Sequence, residues 1–347
     1  MSTASVPIAP RPRRRLRFVL VAVGVALALA VAAGGTAKWL LAPVNDDPSL
    51  TRVDVPSGSS LWRIATELQR AGVVRSARAF VVLARWRGVA SKVRAGEYAL
   101  SPSWRAARVL EQLVAGRVVT YEVVLPEGLT AAEIAARLEA ATLVRADAFL
   151  AVTRDPAVAR EFEVEGTGLE GYLFPETYRM PHGLSAKQVA RVLVDQFRAQ
   201  WATLEADASA RGLGQKQVVT LASIVEKETG AADERALVAS VLWNRLERGM
   251  RLESDPTTIY GIVDFDGNLR REHLEDETNP WNTYRIVGLP PTPIANPGAA
   301  SLAAVLRPAA SEYLYFVAKG DGTHVFARSY AEHLDNVARY QRRPASR

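Results

Sequence analysis

"VVLPEGLTAAEIAARL", residues 123–138, reads as a short β-branched strand, a Pro-x-Gly turn and the start of an amphipathic helix. The chain carries an earlier copy. In "VDVPSGSSLWRIATEL", residues 53–68, the residues Pro56, Gly58, Ile64, Ala65 and Leu68 each recur 70 positions on, as Pro126, Gly128, Ile134, Ala135 and Leu138. Arg75 and Arg145 keep the same offset. A period seen only twice marks a duplicated βα unit, not a solenoid.

Between the copies, "AGEYAL" (95–100) predicts a strand and "SWRAARVLEQLVAG" (103–116) a helix, so the first unit is expected as β-α-α-β-α. Beyond the second copy, "GLEGYLFPETY" (168–178) reads as an irregular stretch of Gly, Pro and aromatics. Helices are expected over 185–204 with Ser185 as N-cap, over 214–227, and over 233–248 ending at Gly249. Residues 251–300 read mostly as loop, with turns at Asp255-Pro256, Asn279-Pro280, Pro290-Pro291 and Asn296-Pro297. "YLYFVAK" and "HVFA", joined by "GDGT", predict a hairpin, and a last helix is expected over 329–342.

The 347 residues are 48% hydrophobic and 23% charged, which is globular composition for two or three domains. Arg11, Arg13, Arg14, Arg15, Arg17 and Lys38 stand before the first acid and account for the whole net charge of +6. The remainder is neutral, which argues against nucleic acid as a partner. Phe18 to Ala37 is uncharged and long enough to span a bilayer. The positive-inside rule assigns residues 1–17 to the cytoplasm, 18–38 to the span and 39–50 to a linker, with Trp39 as an interfacial anchor and the body exported. A cleaved signal peptide competes, with "GTA" before Lys38 as its cleavage site, but the apolar stretch exceeds the usual h-region. The fold class expected is α+β: a transmembrane helix, a βα subdomain, then a mixed α/β domain with long loops. The absence of cysteine excludes disulfide and thiolate chemistry.

"TLASIVEKETG", residues 220–230, is the stretch most suggestive of chemistry. On a helical wheel Val218, Ala222 and Val225 centre an apolar face, with Thr220, Ser223 and Lys227 opposite. Glu226 and Glu228 fall on the two edges of that face. A half-buried carboxyl there would hold its proton more tightly, as a general acid requires. The wheel does not choose between the two glutamates, nor exclude an ordinary solvated helix end. The loops add Asn, Thr, Tyr, Trp and Pro in "LESDPTTIYG" (252–261), "NPWNTYRIVGLPPTPIANPG" (279–298) and "LEGYLFPETY" (169–178), a mixture suited to sugar faces and hydroxyls or simply to loop packing. His182, His273, His324 and His333 show no metal-ligand spacing. No nucleophile elbow and no phosphate loop occur, and no metal or cofactor is expected.

These stretches, with "SIVEKET" and "YLYFVAKGDGTHVFARSYAEH" (313–333), resemble the YceG-like endolytic murein transglycosylases, from the membrane span to about residue 340. The resemblance implies a single-pass protein of the bacterial cytoplasmic membrane, a LysM-like subdomain over 51–118 and a catalytic domain over 119–347 facing peptidoglycan. It implies internal cleavage of nascent glycan strands, leaving 1,6-anhydro-N-acetylmuramoyl ends, with Glu226 as the acid and base. Sugar contacts are expected from the motif residues Tyr172, Glu176, Ser254, Asp255, Thr257, Tyr260, Asn282 and Tyr284. Glu170, Glu176, Glu228 and Asp255 remain candidates for a supporting role. A peptidoglycan synthase in the same membrane is an implied partner. A non-catalytic glycan-binding scaffold, and a hydrolase leaving reducing ends, remain the alternatives.

Overall fold

The computed structural model describes residues 13–341, with side chains from residue 18 onward. Most of the expected cytoplasmic tail, residues 1–12, lies outside the described residues. Helix α1 runs Arg13–Leu40, and its predominantly apolar Phe18–Leu40 portion, 23 residues with none buried, is long enough to cross a membrane. The chain divides into two compact units at Thr120/Tyr121.

The first unit contains β1 (Thr51–Val55), α2 (Leu61–Arg70), α3 (Ala77–Trp86), β2 (Gly96–Leu100) and α4 (Ala106–Ala115), with β1 and β2 antiparallel. The segment expected as a linker is bonded to this unit. Arg75 donates from Nε to the Pro43 carbonyl at 2.8 Å and from Nη2 to the Val44 carbonyl at 3.0 Å, and its guanidinium lies 5.0 Å over the Trp39 ring.

The second unit opens with β3 (Tyr121–Leu125), α5 (Ala131–Ala140), α6 (Ala146–Thr153), α7 (Pro156–Glu161) and β4 (Glu176–Met180). Its first sheet repeats the first unit's pairing. Thr51 faces Leu100 and Val53 faces Tyr98, while Tyr121 faces Met180 and Val123 faces Tyr178. Tyr98 and Tyr178 each donate a hydrogen bond to the carbonyl four residues back, Arg94 and Phe174. The turns match as well. Gly58 and Gly128 adopt φ of 75° and 77°, which a side chain would strain, and this explains the repeated Pro-x-Gly. Ser60 caps α2 and Thr130 caps α5 in a capping box with Glu133. Strand β4 corrects the reading of 168–178 as irregular throughout. From Thr177, side chains alternate outward and inward, placing Tyr178 and Met180 in the core.

Next come α8 (Ala186–Trp201), capped by Ser185, then α9 (Glu205–Ala210), α10 (Gln215–Glu228) and α11 (Arg235–Glu247). Short helices α12 (Asp255–Tyr260) and α13 (Arg271–Glu275) interrupt the long loop before α14 (Ala299–Leu306). The hairpin β5 (Tyr315–Ala318) and β6 (His324–Ala327) and helix α15 (Tyr330–Tyr340) complete the described chain.

Helix α10 is the centre of the second unit. Val218, Val219, Leu221, Ala222, Ile224 and Val225 are all fully buried. The wheel put Thr220 and Ser223 opposite the apolar face, yet both are buried too, because α11 and α14 pack around the helix. Ser223 Oγ donates to the Thr220 carbonyl and accepts from the Ile294 backbone N–H at 3.0 Å, fixing the loop that precedes α14. Gly171 brings the 168–175 segment against the same helix. Its φ is 90°, and a Cβ there would lie 2.5 Å from Pro293 Cγ and 2.8 Å from Val219 Cγ1.

Candidate active site

Glu226 stands in the last turn of α10, and only 6% of its side chain is exposed. Its Oε2 accepts a hydrogen bond from the Gly298 backbone N–H at 3.0 Å. Its Oε1 lies 3.7 Å from Arg235 Nη2, and the same nitrogen lies 3.6 Å from Glu127 Oε2. Glu127 belongs to the Pro-x-Gly turn between β3 and α5. Burial, then the neighbouring Glu226 charge, raise the Glu127 carboxyl above its ordinary value, and Arg235 pulls against them. Two carboxyls thus share one guanidinium.

Glu228 turns to the other side of α10. Ser254 Oγ donates to its Oε1 at 2.5 Å, tying the start of α12 to the helix end. Its carboxyl is buried, and that burial pushes it up to about 7 against the Ser254 hydrogen bond. The folded value lies above the ordinary 4.5, so folding favours the protonated form. Its contribution to stability is complete below about 4.5 and is lost as pH climbs through about 7, by an amount on the order of 3 kcal/mol. Glu228→Gln keeps an acceptor for Ser254 and has nothing to titrate. Melts at pH 5 and pH 8 should show a smaller pH dependence for the variant than for the wild type; equal slopes would mean that Glu228 is ionised in the fold at both.

Glu170 is a third buried carboxyl, pushed up to about 7 by burial. Both of its oxygens are engaged inside the protein. The Ala131 N–H donates to both oxygens, Asn296 Nδ2 to Oε1 at 2.8 Å and the Tyr260 hydroxyl to Oε2 at 3.1 Å. Ala131 is the first residue of α5, so Glu170 also satisfies a helix N-terminus. Asn296 joins three segments: its Oδ1 accepts from the N–H groups of Gly171 and Leu173, and its Nδ2 also donates to the Leu129 carbonyl.

A cavity of about 890 Å³ opens beside this network, lined in part by Glu170, Tyr260, Trp281, Lys216 and Lys227. Glu226 is not in its lining, but Lys227 follows it on α10, and a Cβ on Gly128 would sit 3.5 Å from Glu226 Cγ and 3.8 Å from Lys227 Cδ. Glu170 lines the cavity, but both of its oxygens are already engaged inside the protein. Among the described residues Glu226 has one hydrogen bond and a long ion pair, so it keeps positions for a transferable proton.

The expected sugar-contact residues divide. Tyr172, Ser254, Thr257 and Asn282 are all but completely buried, with polar groups spent inside the protein. Tyr172 donates to the Glu165 carbonyl, Thr257 Oγ1 to the Ser254 carbonyl, and Asn282 Nδ2 to the Asp276 carbonyl. These four hold the loops in shape with their polar groups engaged inside the protein, and of them Tyr172 also lines the cavity. Tyr260 and Tyr284 are half-buried, with hydroxyls on Glu170 and Asp255. Asp255 and Glu176 are exposed, Glu176 at the start of β4. Glu127, Arg235, Asn296 and Gly298 were not expected at the site. Only Glu127 carried a signal, as the residue that replaces Ser57 in the repeated turn.

A family model described as the YceG-like family matches residues 53–339. An endolytic murein transglycosylase of Bacillus subtilis is 31% identical, over 87% of this chain and 88% of its own length. One from Streptococcus pneumoniae is 28% identical over 83% of this chain, which spans 58% of that longer protein. The crystal structure of a YceG-like protein from Listeria monocytogenes superposes with a TM-score of 0.58 at 30% identity, covering 83% of this chain and 99% of that one. With a shared fold and a family match over most of its length, the chain belongs to the YceG-like family.

Proposed function

We propose that the protein is a membrane-anchored lytic transglycosylase that cuts peptidoglycan glycan strands internally, with Glu226 as its acid and base. The observation that carries this reading is the Glu226 carboxyl: almost removed from water, fixed to rigid α10, and short of hydrogen-bond partners. The names of the relatives supply the substrate class.

Protonated Glu226 gives its proton to the oxygen of the MurNAc–GlcNAc bond as that bond breaks and positive charge grows at C1. The carboxylate left behind takes the proton of the MurNAc C6 hydroxyl, whose oxygen attacks C1. The proton returns to Glu226 and a 1,6-anhydro ring forms without water. Ordinary glycosidases need a second carboxylate to direct water or to attack C1. An attacking group within the same sugar removes that need. The cavity beside Lys227 is of the size and kind that receives ligands, and it is assigned to the glycan.

Helix α1 serves as the anchor, with the N-terminus in the cytoplasm and both units outside. The first unit acts as a LysM-like module that holds the strand. A glycan polymerase in the same membrane supplies new strands. Full-length protein in detergent, incubated with uncrosslinked strands, is expected to release fragments whose masses show anhydro ends. Reducing ends would establish a hydrolase instead, and uncut but bound strands a scaffold.

A further inference from the structure

We propose that Glu127, acting through the guanidinium it shares with Glu226, is a positioning residue that sets how firmly Glu226 keeps its proton. The inference rests on the role given to Glu226 above.

The first support is geometric. Arg235 Nη2 stands between the two carboxyls, 3.6 Å from Glu127 and 3.7 Å from Glu226. Gly298 packs between them as well: its N–H binds Glu226, while a Cβ on it would meet Glu127 Oε1 at 1.7 Å. The Glu127 carboxyl therefore occupies the space a side chain at 298 would need. Arg235 Nε is buried and has no acceptor among the described residues, so no further partner draws the guanidinium away.

The second support is the duplication. The two Pro-x-Gly turns share their glycine conformation and the register of the strands that lead into them, yet one carries Ser57 and the other Glu127. The acid is present only in the copy that faces α10, where Gly128 lies against Glu226 Cγ. A helix-entry turn needs no carboxylate at that position, as the first copy demonstrates.

The remaining charges around Glu226 are committed elsewhere. Lys227 donates to the Gly128 carbonyl, Glu228 accepts from Ser254, and Glu234, next to Arg235, binds the backbone N–H and ring of His324. Glu127 and Arg235 are thus the two groups that act on Glu226 with opposite sign. A negative neighbour favours the protonated acid and a positive one the carboxylate.

The test is the pH profile of strand scission for full-length wild type, Glu127→Gln, Arg235→Gln and the double variant. Loss of Glu127 should move the alkaline limb about one pH unit to lower pH, and loss of Arg235 about one unit to higher pH. The double variant should return near the wild-type position. A purely structural role would lower the amplitude and leave the limbs in place, and that result overturns the inference. The titration of Glu226 is followed in parallel by its ¹³Cδ resonance, assigned with Glu226→Gln. This readout needs no turnover, so opposite shifts in a protein that forms no anhydro ends would uphold the coupling and reject the proposed reaction. Unmoved titrations with normal cleavage would do the reverse.

Discussion

Glu226→Gln is expected to lower formation of anhydro ends by about 10²–10⁴-fold with the fold intact, the range over which general acid–base catalysis acts. Glutamine has nearly the same shape, and its carbonyl oxygen can still accept from the Gly298 N–H. What disappears is the proton that leaves for the glycosidic oxygen and the carboxylate that recovers one from the C6 hydroxyl. The loss should therefore fall on kcat more than on KM, because strand binding does not use the proton. Glu170→Gln is the matched control. It lies in the cavity wall and holds its proton to about the same pH as a general acid would, but both of its oxygens are engaged inside the protein. It should retain most of the activity. If the Glu170 variant is the silent one and Glu226→Gln cuts normally, the acid has been misassigned and the hydrogen-bond reasoning behind it fails.

Asn296→Ala should cost roughly 3–5 kcal/mol of stability, because removing one side chain strips partners from several buried groups at once. The N–H groups of Gly171 and Leu173 lose their acceptor, and the Leu129 carbonyl and Glu170 lose a donor. Asn296 is 1% exposed, so water does not replace them without opening the loop. Asn296→Asp is instructive beside it. The carboxylate could still accept from both N–H groups, but it donates nothing and sits against Glu170. Its deficit should grow as pH rises through about 7, where Glu170 ionises, since two like charges then face each other. Urea unfolding at pH 5.5 and pH 8 measures both effects. A loss below about 1 kcal/mol for Asn296→Ala would show that the three segments hold together without this residue.

Periodicity made the elements of this chain legible. The β-branched strands, the glycine turns and the helix cap at Ser185 are local signals, and each forms where its own residues favour it. Strand β4 was missed because its signal is five residues long and follows a run of Gly, Pro and aromatics. A single pass of sequence does not reveal that Tyr178 will meet Val123. The wheel of α10 was right about its apolar face but silent about the helices that bury the other side. The two glutamates show the limit most clearly. Both lie at edges of one stripe, and only the fold brings Ser254 to Glu228, and Gly298 and Arg235 to Glu226. The resemblance chose between them, while the residues that surround the choice are distant in sequence and became visible only with the fold.

The matched sheets of the two units have an evolutionary implication. Strand β3 follows β1 by 70 positions, whereas β4 follows β2 by 80, yet the strand pairing is unchanged. The connection between the strands is therefore ten residues longer in the later copy, with the pairing intact. That lengthened connection holds Glu170, Gly171 and Tyr172, the segment drawn against α10. An ancestral module, once doubled, could keep one version conservative while the other gained innovations in its slack. The extra length lies in the segment that reaches α10.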